Sequence, residues 1–125
     1  LAVSKDDIEA VKLMVEAGAN LEVKDREKQL TPLSIAVIKK STDISNYLLN
    51  KGANPNDGDL NGITPLAYAA LTGQDELIKD MVAKGGDINA KDNSDRTILT
   101  LMDSSRLDKF QKEKIKKILA SSGAK

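Results

Sequence analysis

A short string that returns at a fixed interval constrains this chain more than any single residue does. Thr31-Pro32-Leu33 recurs 33 residues later as Thr64-Pro65-Leu66, and after another 33 in weakened form as Thr97-Ile98-Leu99. Two of the three prolines obey this period. A second marker keeps the same phase: Gly18-Ala19-Asn20, Gly52-Ala53-Asn54 and Gly85-Gly86-Asp87, spaced 34 and 33 apart, and Ala2, Ala36 and Ala69 follow it. Self-similarity at a period of about 20 to 50 residues marks an array of stacked units, so each local signal is one copy of a repeated part.

Each unit has a physical reading. Thr at the N-cap offers its hydroxyl to an orphan amide, and Pro at the first helical position loses nothing by lacking an N–H. The spacing predicts a first helix over Pro65 to Leu71, where Ala69 and Ala70 are small enough to let a neighbouring helix approach. Gly73, Gln74 and Asp75 punctuate it, and a second helix follows whose Leu77, Ile78, Met81 and Val82 form one apolar stripe. The same stripe returns as Ile44, Leu48 and Leu49 in the preceding unit and as Val11, Met14 and Val15 in the first. Gly85 suits the left-handed position that closes a helix, and residues 89–95 read as a turn leading into Thr97. Helix pairs this short cannot bury their stripes alone, because ordering costs roughly 1 to 2 kcal/mol per residue in backbone entropy, so the units must stack. The expected fold class is an all-α solenoid.

Composition narrows the function. The 125 residues suit one domain, with 19 Lys plus Arg against 19 Asp plus Glu and a net charge of zero. With neither Cys nor His, disulfides, thiolate or imidazole zinc sites, Ser-His and Cys-His nucleophile pairs and a histidine pH switch are all excluded. No apolar run approaches the ~18 residues that span a bilayer. The abrupt opening on Leu1-Ala2-Val3 leaves an upstream segment as an expectation. The cytosol is favoured as compartment, and an exported protein with no use for disulfides fits the composition as well.

In its Thr-Pro-Leu copies and glycine markers the sequence resembles the ankyrin repeat family, whose period is about 33 residues and whose signature reads Thr-Pro-Leu-His-x-Ala. The resemblance implies a single ankyrin-repeat domain over residues 1–125 with about four units: a partial repeat over 1–20, repeats over 21–53 and 54–86, and a divergent terminal capping repeat over 87–125. It also implies antiparallel helix pairs joined by β-hairpin-like turns, with turn tips and first helices forming one concave face. The signature His is replaced by Ser34, Ala67 and Thr100, so its hydrogen bonds must be replaced or absent. From Gly18 to Thr31 there are 13 steps against 12 in the later units, so the turn at residues 24–28 carries one extra residue and its tip is expected to protrude. In the last unit Pro becomes Ile98 and the paired alanines become Met102-Asp103. Gly123 lies 26 beyond Thr97 instead of 21, so an insertion of about five residues is expected near Ser104 to Lys109.

Catalytic and metal chemistry find little support. Residues 57–62, Asp-Gly-Asp-Leu-Asn-Gly, match the first half of a calcium loop, but its twelfth position would be Tyr68 where a bidentate Glu is needed. The carboxylate pairs Asp6-Asp7, Asp75-Glu76 and Asp92 with Asp95 fall at helix starts and turn tips, where water keeps their protonation ordinary. Neither standard glycine-rich phosphate loop is present. No enzyme activity and no cofactor are expected.

Residues 106–125 carry Arg106 and six lysines (Lys109, Lys112, Lys114, Lys116, Lys117 and Lys125) against Asp108 and Glu113, a net +5 that leaves −5 elsewhere. With Leu107, Phe110, Ile115, Ile118 and Leu119 between the charges, this helix offers contact to an anionic membrane, nucleic acid or an acidic protein. The stronger reading is a polar cap for the last repeat. Nucleic acid and membrane are disfavoured as partners.

The resemblance places partner contacts at turn tips and at the ends of first helices. In the central unit these are Leu60, Asn61, Ile63, Leu71 and Thr72. The preceding unit supplies Arg26, Glu27, Leu30, Ile38 and Lys39, and the last supplies Asn93, Ser94, Arg96, Ser104 and Ser105. Leu60, Ile63 and Leu71 beside Leu30 and Ile38 would make an apolar strip, which soluble monomers seldom leave uncovered. Alternatively Leu30 and Ile63 pack turn against turn, and Ile38 and Leu71 face the second helix. Tyr68 is expected in the core with its hydroxyl at the edge, and Tyr47 either at an outer-helix core position or in a convex-side contact. The function expected is a monomeric protein–protein interaction module that binds another protein through the concave face. The alternatives are a structural or regulatory segment of a longer polypeptide and contact with an anionic surface through the lysine-rich helix.

Overall fold

The computed structural model describes residues 8–122, and among these there are seven helices and no strands. Ala2, Asp6-Asp7, Gly123 and Lys125 lie outside the described residues. In chain order the helices are α1 (Ile8–Glu16), α2 (Pro32–Ile38), α3 (Thr42–Asn50), α4 (Pro65–Leu71), α5 (Asp75–Ala83), α6 (Ile98–Asp103) and α7 (Lys109–Ser121). The three short helices begin where the threonine copies place them. Thr31, Thr64 and Thr97 hold extended backbone, and their Oγ1 atoms accept from the amides of Ser34 (3.2 Å), Ala67 (3.1 Å) and Thr100 (3.4 Å). At the far end of α5, Gly85 closes the helix at φ +93°, and the next amide, Gly86 N, reaches Met81 O at 2.8 Å.

Packing sorts the helices into two layers. The short ones form an inner row, α4 lying against both α2 and α6, and the longer ones an outer row in the order α1, α3, α5, α7. Inner and outer members pair as α2 with α3, α4 with α5 and α6 with α7. Ala36, Ala69 and Ala70 are fully enclosed, so backbones meet closely between inner neighbours. Leu33, Ile44, Leu48, Leu66, Ile78, Met81, Ile98, Met102, Ile115 and Leu119 fill one continuous core between the layers. Each such side chain contributes roughly 1.5 to 3 kcal/mol by leaving water, and that comes from units packing on one another. The stripe expected on α1 is only partly covered: Val11 is buried and Val15 half-buried against the core, but Met14 is 47% exposed. Among the described elements α1 lies chiefly against α3, whereas α3 lies against α1, α2 and α5.

The position of the family's signature His is handled differently in each unit. Thr31 Oγ1 donates to Ser34 Oγ at 3.4 Å, the hydroxyls of Thr97 and Thr100 lie 3.2 Å apart, and Ala67 carries no side-chain polar group. The extra length of the last unit goes mainly into its helix, which corrects the insertion of about five residues expected near Ser104 to Lys109. α7 runs 13 residues where α5 runs 9, while the connection over 104–108 exceeds that over 72–74 by two. A capping box opens it, in which Asp108 Oδ1 accepts from Gln111 N at 2.8 Å and Gln111 Oε1 accepts from Asp108 N at 3.4 Å. The helix begins 12 residues after Thr97 where α5 begins 11 after Thr64, so its added turn lies at the C-terminal end, in a run of good helix formers. No helix among the described residues is long and apolar enough to cross a membrane.

Candidate partner-binding face

Three aspartates build the turns that carry the tips. Asp25 Oδ1 accepts from the amides of Lys28 (3.1 Å) and Leu30 (2.9 Å), Asp59 Oδ1 from Asn61 (2.9 Å) and Ile63 (3.0 Å), and Asp92 Oδ1 from Ser94 and Arg96 (2.9 Å each). The same aspartates donate their own amides to the carbonyls of Leu30, Ile63 and Arg96, closing a narrow hairpin each time. The first hairpin is one residue longer, as its extra step requires, and is exposed from Arg26 to Gln29. Just before each closure the chain turns left-handed, at Gln29 (φ +57°), Gly62 (φ +78°) and Asp95 (φ +65°). At Gly62 a Cβ would stand 2.5 Å from Asn93 Oδ1, so the neighbouring tip also demands glycine there.

The second carboxylate oxygen finds a different partner in the later two turns. Asp59 Oδ2 takes the Tyr68 hydroxyl, and Asp92 Oδ2 takes Arg96 Nε at 2.8 Å. Burial first, and the Asp59 carboxylate second, push the Tyr68 phenol well above its ordinary range, so it remains a donor. The Arg96 amide, then the Ser94 amide and the Arg96 guanidinium, hold Asp92 below the usual carboxylate range against the opposing effect of burial.

The tips join one another through main chain. Leu60 N donates to Lys28 O at 2.8 Å, Asn93 N to Asn61 O at 2.9 Å, and Asn93 Nδ2 to Leu60 O at 2.8 Å. At the base of the turns, Glu22 Oε2 accepts from Asn54 N (3.0 Å) and Asn56 Oδ1 from Asp87 N (2.7 Å), and Lys24 bridges to Asp57 and Gly58 O, both at 2.9 Å. Burial, reinforced by the nearby Asp57 charge, raises the Glu22 carboxyl above its usual value, although the Asn54 amide pulls the other way. A second row runs along the ends of the inner helices. There Gln74 Nε2 donates to Val37 O (2.8 Å) and Thr72 Oγ1 (2.7 Å), and Thr72 Oγ1 donates to Tyr68 O (2.7 Å).

Against this frame the residues expected to meet a partner fall into three groups. Arg26, Glu27, Lys39, Asn61, Ser94 and Ser104 are exposed, as are Leu60 (53%) and Ile38 (40%). Asn93, Arg96 and Thr72 hold the frame itself together. Ile63 and Leu71 are half-buried against the core, Ser105 is half-buried with its hydroxyl on Met102 O, and Leu30 is buried within the core. The apolar strip is thereby narrowed to Leu60 and Ile38. Tyr68 sits half-buried with its hydroxyl engaged, while the Tyr47 ring is flanked by the ammonium groups of Lys12 (5.9 Å) and Lys51 (5.7 Å). Sequence reasoning overlooked Lys28, whose carbonyl places it beside Leu60, and the aspartate triad, whose 34- and 33-residue spacing was there to find.

Paired short helices stacked in two layers, with hairpin tips joined edge to edge, define a helical-repeat scaffold. The chain belongs to the ankyrin repeat family: the family pattern for ankyrin repeats in three copies matches residues 1–92. Ankyrin repeats are in general protein–protein interaction modules, and such domains are typically non-catalytic. The chain is 38% identical over 76 residues to the 2-5A-dependent ribonuclease of Homo sapiens, a match covering 61% of this chain and 10% of that protein. It is 40% identical over 65 residues to the ankyrin repeat-containing protein P1E11.10 of Schizosaccharomyces pombe, covering 52% of this chain and 31% of the relative. With the B-cell lymphoma 3 protein homolog of Mus musculus it shares 32% identity over 107 residues, 86% of this chain and 24% of the relative. The chain thus spans between a tenth and about a third of these relatives.

Proposed function

We propose that this chain is a non-catalytic module that holds another protein against the concave face made by its turn tips and inner helices. The observation carrying this reading is the main-chain linkage of the tips, from Lys28 to Leu60 and from Asn61 to Asn93, which holds the exposed side chains of Lys28, Leu60 and Asn61 in a fixed row. A surface fixed in advance loses little freedom on association, so affinity comes from complementarity without a closed pocket. We also take residues 1–125 as one ankyrin-repeat domain, with α7 as its cap. Its lysines are largely used internally: Lys114 pairs with Asp75 (3.0 Å), Lys116 with Asp103 (2.9 Å), and Lys112 donates to Asp103 O (3.2 Å). That use favours the cap over contact with an anionic surface. The test is partner capture from the native cell by the wild type and by a Leu60→Asp, Ile38→Lys double variant. Loss of capture with unchanged helical content and melting is the expected result, and unaltered capture moves the contact surface elsewhere.

A further inference from the structure

The two rows that cross the concave face share one charge order. At the tips, hydrogen bonds set Lys28 beside Leu60 and Asn61 beside Asn93, so the ridge runs from cation through apolar side chain to amide. Along the inner-helix ends, Gln74 ties Val37 to Thr72, so the row runs from Ile38 and Lys39 through Leu71 and Thr72 toward Ser104. Among the described residues Arg26, Lys28 and Lys39 are exposed and take part in no ion pair, while Asp25 and Glu27 are the opposing charges at that tip, Asp25 being turned onto the amides of Lys28 and Leu30. At the far end three carboxylates are already matched, Asp92 with Arg96, Asp95 with Lys91 and Asp103 with Lys116, while Arg106 is exposed and takes part in no ion pair. The seven residues of α2, about 10 Å long, lie between the tip that carries Arg26 and Lys28 and the helix end that carries Lys39, so the cations bracket a strip rather than one point. Lys39 also sits favourably at the C-terminal end of α2, but that explains neither Arg26 nor Lys28.

Resting on the reading of this face as a protein contact, we propose that its partner is an extended segment lying across the repeats. The segment's acidic end lies over Arg26, Lys28 and Lys39, and its apolar middle covers Leu60 and Ile38. Exposed cations outside any ion pair set the direction and register of a bound chain and speed its arrival. The apolar pair holds it in place.

The test uses a random dodecapeptide library displayed on phage and selected on the immobilised full chain, followed by titration of synthetic copies of the recovered peptides. The expected clones carry Asp or Glu at one end and large apolar residues centrally. Their affinity falls about tenfold or more on Arg26→Glu with Lys39→Glu, falls with added salt, and does not change on Lys109→Glu with Lys117→Glu. Clones that need Leu60 and Ile38 but show no acidic end, or that survive the Arg26 and Lys39 reversals, overturn this inference and leave the contact face standing. No clones, or clones indifferent to Leu60→Asp with Ile38→Lys, overturn both.

Discussion

Asp92 and Glu22 are both carboxylates tied to main-chain amides, yet their titrations pull stability in opposite directions. The amides and guanidinium around Asp92 lower its pKa beneath the ordinary 3.8, so within that window the unfolded chain binds more protons and stability rises with pH. Its contribution is fully present above the ordinary value and is lost as pH falls through the lowered one. Burial raises Glu22 above 4.5, so there the folded chain binds more protons and stability falls as pH rises through the raised value. Urea midpoints between about pH 3 and 7 should therefore show Glu22→Gln gaining on the wild type as pH rises, and Asp92→Asn losing ground once the carboxylate ionises. A parallel pH dependence in both variants would contradict this assignment. Tyr68→Phe strips the partner from a buried carboxylate oxygen of Asp59 and should cost about 1 to 3 kcal/mol in the same assay. The sequence marks Tyr68 as the odd member of its position, but a bond across nine residues depends on how the turn folds back over the helix.

Among the elements, the tip hairpins differ in how comfortably they take their left-handed step. Gln29 holds φ +57° where Gly62 holds φ +78°, and a side chain there costs roughly 1 to 2 kcal/mol relative to glycine, less glycine's own entropy loss. Gln29→Gly should thus raise the melting temperature slightly. Gly62→Ala should lower it more, since the new methyl would meet Asn93 as well as the strained backbone. Asp108→Ala removes the capping box of α7 and should cost about 1 kcal/mol in chemical denaturation. Helix starts were the most legible part of this sequence, because Thr-Pro is read by local rules, and the span of α4 follows from its own residues. The length of α7 was less so: counting from glycine to glycine shows how many residues are extra, but not that most of them extend the C-terminal end of the helix and so lengthen it rather than the loop before it.

Across the whole molecule, stability is a sum of neighbouring interfaces, so the two ends of the stack should behave differently. α1 buries only Val11 among its described residues, whereas α7 seats Ile115 and Leu119 fully in the core. Hydrogen exchange should find the amides of α1 opening first, well before those of α4 and α5. Leu119→Ala should cost about 2 to 5 kcal/mol and release α6 and α7 ahead of the rest, and uniform loss of protection would argue against stacking of independent units. The repeat architecture could be read in advance because its period lies in the sequence, but the composition of the face could not. Leu30 looked like a tip residue by position, yet closing the Asp25 hairpin turns it into the core. The links between tips leave no trace in side-chain pattern, since main-chain amides and carbonyls belong to every residue alike. That indifference has an evolutionary corollary. Substitutions at Leu60 or Asn61 can accumulate while the tips stay joined, so the surface the tips present can be rewritten by point mutation without passing through an unfolded ancestor.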